Sequence, residues 1–507
     1  MRLKGYVMAA AVAVGAGAAA EPAHAQFAYG AGATFPAVVY RSMMDCLYNQ
    51  VQGSAGKPGP QAISSACPGF NSSGFGGMIL YAPVGSGSGK SSLRNNVAAG
   101  TVSGSNTVPY TDTSIGVTGL GDYDGLQFAG SDDIITSADM AAWNTAGNPA
   151  KFGNLIQVPA LVGPVGIGFN GKDGNGASLN IVNPIPSGGS SGLNLSRNAI
   201  CGIFSGHITK WSNDILKALN GGTVLGTGNI TVVHRGDGSG TTFLLSNALA
   251  TQCQFEFGPN SETDSTTVSY AFPWTDNAAS ACPFPVAHGA NALNWPDVIA
   301  ANSGKDQCGT TITIPATGST FVSATGSAGV STAVKTTNGA IGYASPDYWA
   351  PVIASNPATA NLQGQWDLTA GTGQFHPPTF QGAQTAMASS NPVFDSTTIL
   401  NPLAWSVQGV VPNPTLPGSY PIAGFTWLEM YQCYKPHPNF VNSLTWFRTF
   451  MNYLYGSTDA HNIMNVNGFG ELPFPWLSQV SSLLTDPVHG PNFVADSTGC
   501  TGKVGAL

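Results

Sequence analysis

The sequence is poor in charged residues, which make up only 8% of its 507 residues. Its 17 Lys and Arg residues are outnumbered by 25 Asp and Glu residues, so the formal net charge is −8 at pH 7. Proteins that bind nucleic acid need clustered basic residues to displace the counterions of the phosphate backbone. The composition therefore excludes a nucleic-acid partner, and a bound anion would have to be held by local donor groups.

Long apolar runs and metal-ligand spacings are also lacking. We find no uninterrupted apolar run of the roughly 18 residues that a membrane-spanning helix requires. No Cys-x2-Cys occurs, and the histidines are scattered along the chain, so a zinc site is not expected. The sequence therefore predicts no membrane span, no metal and no cofactor.

The N-terminus predicts export. A basic start is followed by the apolar and small residues 6–20, and Ala23-His-Ala25 fits the small-x-small pattern of a signal-peptide cleavage site. We expect residues 1–25 to be a signal peptide and the mature chain to begin near Gln26. A periplasmic or secreted location follows.

The cysteines fit this location, because their number is even and exported chains favour disulfides over free thiols. Sequence alone leaves the pairing open, and we prefer bonds between neighbours because each such pair flanks a loop-rich stretch. The preferred pairs are Cys46–Cys67, Cys201–Cys253, Cys282–Cys308 and Cys433–Cys500.

The most informative stretch is the glycine-rich loop of residues 235–242, Arg-Gly-Asp-Gly-Ser-Gly-Thr-Thr. It follows the β-branched residues 230–233 and leads into residues 243–250, which have the composition of a helix. The first turn of a helix has unpaired N–H groups, and glycine lets the backbone approach an oxyanion closely. Arg235 adds a planar, permanent positive charge, and Asp237 is placed to hold it.

Three further loops end predicted strands or open predicted helices. Thr34 and Phe35 precede a helix that starts after Pro36, Ser86 follows the strand of residues 78–84, and Asp132 follows the strand that begins at Leu126. An Asp at such a place most often caps the next helix, here residues 136–143, so that role stays open beside anion binding.

Two enzyme motifs are tempting near Ser86 but fail on spacing. Gly89-Lys90-Ser91 resembles the end of a nucleotide P-loop, yet Val84 stands where that motif requires glycine. The Gly-x-Ser-x-Gly elbow of hydrolases is also incomplete at this place. A Ser/Gly loop at a helix start is what remains.

Together, the four loops resemble, in order, those of the phosphate-binding proteins of bacterial high-affinity phosphate importers. Residues 203–211 and 339–343 are also similar to that family. The resemblance implies an α/β, two-lobed type II periplasmic-binding-protein fold, with residues 26–160 and 340–507 in lobe I and residues 161–339 in lobe II. This chain adds loop-rich insertions at residues 48–76, 100–125, 255–330 and 350–420.

The resemblance also implies a site for inorganic phosphate between the lobes and, as a partner, a phosphate ABC permease. Asp132 would accept a hydrogen bond from protonated phosphate and repel sulfate, which has no proton to donate. Arsenate would not be excluded. The residues implied to form the site are Thr34, Phe35 through its backbone, Ser86, Asp132, Arg235, Ser239, Gly240 and Thr241, with Asp237 orienting Arg235.

Two other functions stay open at this point. A secreted phosphatase could use the same pocket, with Ser86 or Ser239 as nucleophile, although neither has a histidine or metal cluster beside it in sequence. Arg235-Gly-Asp237 could instead be an integrin-type adhesion tripeptide, but only if the triplet were exposed. The sequence favours a phosphate-binding protein without catalytic residues, for uptake or scavenging.

Overall fold

The computed structural model describes residues 27–48, 66–67, 78–96, 125–184, 192–206, 208–254, 295–301, 303, 320–349, 359–436, 443–492 and 498–506. The predicted signal peptide and the predicted pair Cys282–Cys308 lie outside the described residues. The strands are β1 (Phe27–Gly32), β2 (Met78–Ala82), β3 (Phe128–Ser131), β4 (Leu155–Pro164), β5 (Gly166–Phe169), β6 (Asn194–Leu195), β7 (Thr231–Arg235), β8 (Thr320–Ala324), β9 (Ala340–Ala344), β10 (Asn361–Leu362) and β11 (Ala423–Tyr431).

Helices cover the faces of the sheets. They are α1 (Ala37–Tyr48), α2 (Ser86–Asn95), α3 (Ser137–Thr145), α4 (Asn148–Phe152), α5 (Arg197–Phe204), α6 (Asp214–Leu219), α7 (Gly240–Gln254), α8 (Pro296–Ala301), α9 (Gly326–Thr336), α10 (Pro346–Trp349), α11 (Gln365–Ala370), α12 (Phe380–Met387), α13 (Pro402–Gln408), α14 (Ser443–Gly456), α15 (Thr458–Val466) and α16 (Phe474–Leu484). None of these helices is long and apolar enough to cross a membrane.

The first sheet has five strands in the order β2-β1-β3-β11-β4. Strands β2, β1 and β3 are parallel, and β11 runs antiparallel to both β3 and β4. All ten residues of β4 and all nine of β11 are buried, as expected for strands covered on both faces. Because β1, β2 and β3 are parallel, their carboxyl ends meet at one edge of the sheet, where ligands bind in folds of this kind.

The second sheet has the order β5-β9-β7-β8, with β7 parallel to both β8 and β9. The chain enters it directly, because only Val165 separates β4 from β5. It returns to the first sheet between β9 and β11. A two-stranded ladder of β6 and β10 lies apart from both sheets. The chain thus forms two mixed α/β layers, each made of one sheet and the helices that cover it, and crossover segments join the two.

The predicted lobe boundaries differ from these sheets at two places. Strand β4 belongs wholly to the first sheet although the predicted boundary falls after residue 160. Strand β9, which was expected to begin the return to lobe I at residue 340, is an inner strand of the second sheet. The division into lobes at these residues remains a prediction.

Local signals predict the helix starts well. Ser196 caps α5 by accepting a hydrogen bond from the N–H of Ala199 at 3.2 Å. Thr136 and Asp139 form a reciprocal capping box at the start of α3. The helix after β3 is therefore capped by Thr136, which leaves Asp132 free of the capping role that the sequence kept open.

Two stretches expected to be loops contain regular structure. Strand β8 and the start of α9 lie within residues 320–330, and helices α11, α12 and α13 lie within residues 359–420. Some of the short helices there begin at polar caps, such as Thr379 and Asn401, which by composition alone are equally typical of turns. The expectation of loops is wrong for these residues.

Three of the preferred cysteine pairs are formed. The bonds are Cys46–Cys67, Cys201–Cys253 and Cys433–Cys500, so pairing between neighbours is confirmed where the structure describes it. Cys201–Cys253 ties α5 to the end of α7, the helix that follows the loop of residues 235–239.

Candidate anion-binding site

Three helix starts meet at the site. Thr34 lies just before α1, Ser86 is the first residue of α2, and Gly240 is the first residue of α7. The first N–H groups of each helix lack partners within the helix, and the helix dipole adds partial positive charge there. Hydrogen bonds from Gly240 to Ser86 and from Arg235 to Thr34 hold these helix starts close together, which gives a site suited to an anion.

Glycine allows the loops from the two sheets to touch. Gly85 has φ +90°, and a Cβ on it would lie 2.5 Å from the carbonyl oxygen of Gly238. A Cβ on Gly240 would lie 2.6 Å from both Ser86 Oγ and the Asp133 nitrogen. Real Cβ atoms do not approach so closely, so the contact between the loops requires glycine at both positions.

Arg235 lies at the end of β7 and is buried. Its Nε donates to Asp237 Oδ1 at 2.6 Å, its Nη2 donates to Asp237 Oδ2, and its Nη1 donates to Thr34 Oγ1 at 3.0 Å. Asp237 also accepts from the N–H of Gly326 at 2.9 Å. A guanidinium has five N–H bonds, so one on Nη1 and one on Nη2 stay available for a ligand. The role predicted for Asp237, to hold Arg235, matches this geometry.

Ser86 connects the other two loops. Its Oγ accepts from the N–H of Asp132 at 3.3 Å and from the N–H of Gly240 at 3.1 Å. A hydroxyl that accepts twice still has its own proton to donate. Ser86 is fully buried, so this proton is directed into the protein and not to bulk water.

Asp132 is the acceptor of the site. Its Oδ2 accepts from Thr241 Oγ1 at 3.4 Å, while its Oδ1 is buried and has no hydrogen-bond partner among the described residues. Burial raises the pKa of the Asp132 carboxyl well above its ordinary value, and the Arg235 guanidinium and the Thr241 hydroxyl lower it only in part. An acceptor of this kind is satisfied by a ligand that brings a proton.

The remaining predicted residues have mixed positions. Ser239 Oγ accepts from the N–H of Thr242 at 3.1 Å and so caps α7. The Phe35 ring packs edge-on against Phe469 at 5.1 Å in the core, and the Phe35 carbonyl accepts from Ser345 Oγ at 2.9 Å. Hydrogen bonds therefore connect Thr34, Ser86 and Asp132 with the loop of residues 235–241. The ligand contact expected from the Phe35 backbone stays a prediction.

Sequence reasoning missed several residues that hold Thr34 and Arg235 in place. The N–H of Ser327, at the start of α9, donates to Thr34 Oγ1 at 3.2 Å. The hydroxyl of Tyr348 donates to the carbonyl of Thr34 at 2.9 Å, and the hydroxyl of Tyr343 accepts from the N–H of Arg235 at 3.0 Å. Ser327 could have been noticed, because Thr-Gly-Ser after a β-branched stretch is again a strand, glycine loop and helix start.

Among the described residues the site has one fixed positive charge, Arg235, and several neutral donors. Of its two carboxyl groups, Asp237 is taken up by Arg235, and Asp132 has an oxygen without a hydrogen-bond partner. No cluster of three or more His, Cys, Asp or Glu side chains that could hold a metal occurs among the residues the structure describes. In Arg235-Gly-Asp237 the arginine is only 2% exposed and its guanidinium is bound by Asp237, so the two side chains are not free for an adhesive role. The arrangement suits a protonated tetrahedral oxyanion.

Comparison with known proteins agrees with this geometry. Alkaline phosphatase L of Pseudomonas aeruginosa strain PAO1 is 28% identical over 414 residues, which cover 80% of this chain and 86% of the relative. A phosphate-binding protein of an unknown prokaryotic organism is 27% identical over 424 residues, covering 80% of this chain and 92% of the relative.

A crystal structure of the ancestral soluble variant of the Human Phosphate Binding Protein superposes with a TM-score of 0.58 at 25% identity, covering 94% of this chain and 98% of that one. The model of the PBP superfamily domain matches residues 31–458, most of the chain. The chain therefore belongs to the PBP superfamily, and its two α/β layers are the two-lobed type II periplasmic-binding-protein fold that the sequence predicted.

Proposed function

We propose that this protein is an exported binding protein that holds inorganic phosphate between its two layers, for uptake or scavenging. The observation that carries the proposal is the buried Asp132, whose Oδ1 has no hydrogen-bond partner among the described residues. Thr241 donates to its Oδ2, and the Arg235 guanidinium lies close enough to lower its pKa. The family supports a periplasmic or secreted location, and delivery to a phosphate ABC permease is the use we propose.

The proposed ligand contacts combine main-chain and side-chain donors. They come from Thr34, Phe35 through its backbone, Ser86, Arg235, Ser239, Gly240 and Thr241, with Asp132 as acceptor and Asp237 as the partner of Arg235. Protonated phosphate can donate to Asp132, whereas sulfate would place two acceptors face to face. An analogue that cannot make one such buried hydrogen bond is discriminated against by several orders of magnitude in affinity.

A phosphatase is the competing function, because relatives from Pseudomonas aeruginosa are named alkaline phosphatase L. Such an enzyme needs a nucleophile activated by a base or metal. Ser86 Oγ accepts from two main-chain N–H groups and Ser239 Oγ accepts from a third, and neither hydroxyl has a base among its described hydrogen-bond partners. This geometry favours binding over hydrolysis.

One experiment separates the two functions. The purified protein, freed of phosphate, is titrated calorimetrically with phosphate, arsenate and sulfate, and a phosphomonoester is offered in a turnover assay. We expect phosphate and arsenate to bind, sulfate to bind roughly a thousandfold more weakly or not at all, and no turnover. Absence of phosphate binding would refute the proposal, and turnover abolished in Ser86→Ala would establish the enzyme instead.

A further inference from the structure

The Gly89-Lys90-Ser91 sequence, which is not a P-loop, contributes a lysine with an unusual position. Lys90 lies one helical turn after Ser86 on α2, so both side chains project from the same face of that helix. The Lys90 side chain is only 9% exposed. Lysine is seldom buried to this degree without partners.

The Lys90 ammonium has three hydrogen-bond partners. Its Nζ donates to Asp133 Oδ2 at 2.5 Å, to the carbonyl of Ile134 at 3.1 Å and to Asp139 Oδ2 at 3.3 Å. An ammonium has three donors, so its hydrogen-bonding capacity is used. Two of these partners belong to the short loop that carries Asp132.

That loop is consequently attached to α2 at two points. Ser86 Oγ accepts from the main-chain N–H of Asp132, and Lys90 holds the side chain of Asp133 and the carbonyl of Ile134. The loop is also closed on itself, because Ser131 Oγ donates to the Asp133 carbonyl at 2.7 Å. The position of the Asp132 carboxyl relative to Ser86 therefore depends on both attachments.

Carboxyl groups crowd this part of the first layer. Asp133 and Glu429, from the loop and from β11, are buried, and Asp139 faces Lys90 from α3. Burial lowers the pKa of Lys90, but the Asp133, Asp139 and Glu429 carboxyls outweigh it, so the net shift is upward and the ammonium keeps its charge. Burial raises the pKa of Glu429 well above its ordinary value, and the Lys90 ammonium lowers it only in part.

We propose that Lys90 is a positioning residue for Asp132, which ties the loop of residues 131–134 to α2 and balances the charge of Asp133, so that discrimination between phosphate and sulfate depends on it. The inference rests on the proposed function and extends it to a residue that does not touch the ligand.

Charge is the second part of this role. Arg235 faces Asp132 from β7 and lowers its pKa, while Asp133, from the same loop, raises it. Tyr40 on α1 and Tyr348 on α10 also face Asp132, and burial raises the pKa of both phenols, so they stay neutral. Without Lys90, the Asp133 charge would be unbalanced and the pKa of Asp132 would rise further. A protonated Asp132 could donate to sulfate, so selectivity would fail at a higher pH.

The test compares Lys90→Met with the wild type and with Asp139→Asn. The control removes a charge that faces the same ammonium but lies on α3, away from Asp132. Phosphate and sulfate affinities are measured by calorimetry from about pH 5 to pH 9, and thermal stability is recorded for each variant. A purely structural role would change thermal stability alone.

For Lys90→Met we expect the ratio of phosphate to sulfate affinity to fall about tenfold or more, and the pH at which sulfate begins to bind to rise by about one unit. Asp139→Asn should lose stability and keep the ratio. A ratio and a pH profile that match the wild type in Lys90→Met would overturn the inference.

If Lys90→Met does not fold, the double variant Lys90→Met/Asp133→Asn replaces the ion pair by a neutral pair of similar volume, which proteins commonly tolerate. Since Met cannot tie the loop, the affinity ratio of the double variant should still fall about tenfold or more, while its pH profile should stay close to that of the wild type. A wild-type ratio in the double variant refutes the role of Lys90. If the wild-type protein itself does not bind phosphate, the proposed function is refuted. That outcome differs from a failure of the Lys90 inference, in which the wild type binds phosphate and the variants keep its affinity ratio.

Discussion

Gly240→Ala tests directly whether the contact between the two layers is needed for binding. The added Cβ would lie 2.6 Å from Ser86 Oγ, 2.6 Å from the Asp133 nitrogen and 2.7 Å from the Asp132 carbonyl carbon. Ordinary contacts of a Cβ begin at 3.4 Å, so the overlap amounts to most of an ångström against three atoms, two of them in the main chain. The methyl group can be accommodated only if the loop of α7 moves away from α2 and the Asp132 loop.

The cost of the overlap should appear in binding and not in folding. Ser86 and Asp132 belong to the first layer and Gly240 to the second, so separating the layers relieves the overlap without unfolding either of them. Overpacking in a close contact costs about 1–3 kcal/mol. At 1.4 kcal/mol for each factor of ten, phosphate affinity should fall roughly 5- to 150-fold. Thermal stability without ligand should hold or rise slightly, because alanine favours helix over glycine by up to about 1 kcal/mol.

Gly329→Ala is the matched control. Gly329 also lies in a helix, α9, but a Cβ there would meet its nearest atom, the Ala324 Cβ, at an ordinary 3.7 Å. Calorimetric titration with phosphate and thermal melts of ligand-free protein are recorded for both variants. Unchanged phosphate affinity in Gly240→Ala would refute the reasoning, because it would mean that the layers do not need this contact when the ligand is bound.

Three further predictions follow from the site and its surroundings. Asp132→Asn should admit sulfate, because an amide can donate to an unprotonated oxyanion, and calorimetry should show the preference for phosphate reduced by about two orders of magnitude. Arg235→Lys should weaken phosphate binding by about 2–4 kcal/mol, roughly 30- to 1,000-fold. Lysine has no planar guanidinium with which to bind Asp237 and a ligand at the same time. Equal affinity for phosphate would contradict the role proposed for Arg235. Burial raises the pKa of Asp347 to about 8, against the opposing hydrogen bonds of Ser345 and the main chain. The folded protein therefore binds a proton that the unfolded chain has already released, so the free energy of unfolding falls as the pH rises from about 4 to about 8. In chemical denaturation, Asp347→Asn should make this fall with pH smaller. An equal fall in the variant and the wild type would contradict the pKa shift.

The pKa of Asp132 has a related consequence for the ligand-free protein. Since burial raises this pKa well above its ordinary value, the ionisation of Asp132 opposes its burial between the two layers as the pH increases. A bound anion that donates a proton to the carboxylate removes this cost. Phosphate binding and the ionisation of Asp132 are therefore expected to be linked.

The sequence by itself determined the parts of this protein that depend on short stretches of chain. A strand, a glycine loop and a helix start are local patterns, and these patterns alone locate Thr34, Ser86 and the loop from Arg235 to Thr241. The neighbouring cysteine pairs and the Ser196 cap of α5 are local features of the same kind. The order of the loops along the chain is similar to that of the phosphate-binding proteins, and this resemblance implied the fold.

Contacts between stretches that are distant in sequence could be seen only in the tertiary structure. Ser327 and Tyr348 hold Thr34 across 293 and 314 residues of sequence, and β9 joins the second sheet next to β7. Lys90 reaches Asp133 only because α2 packs against β3. These contacts depend on which strand ends the topology places side by side, and no periodicity or spacing within one segment contains that information.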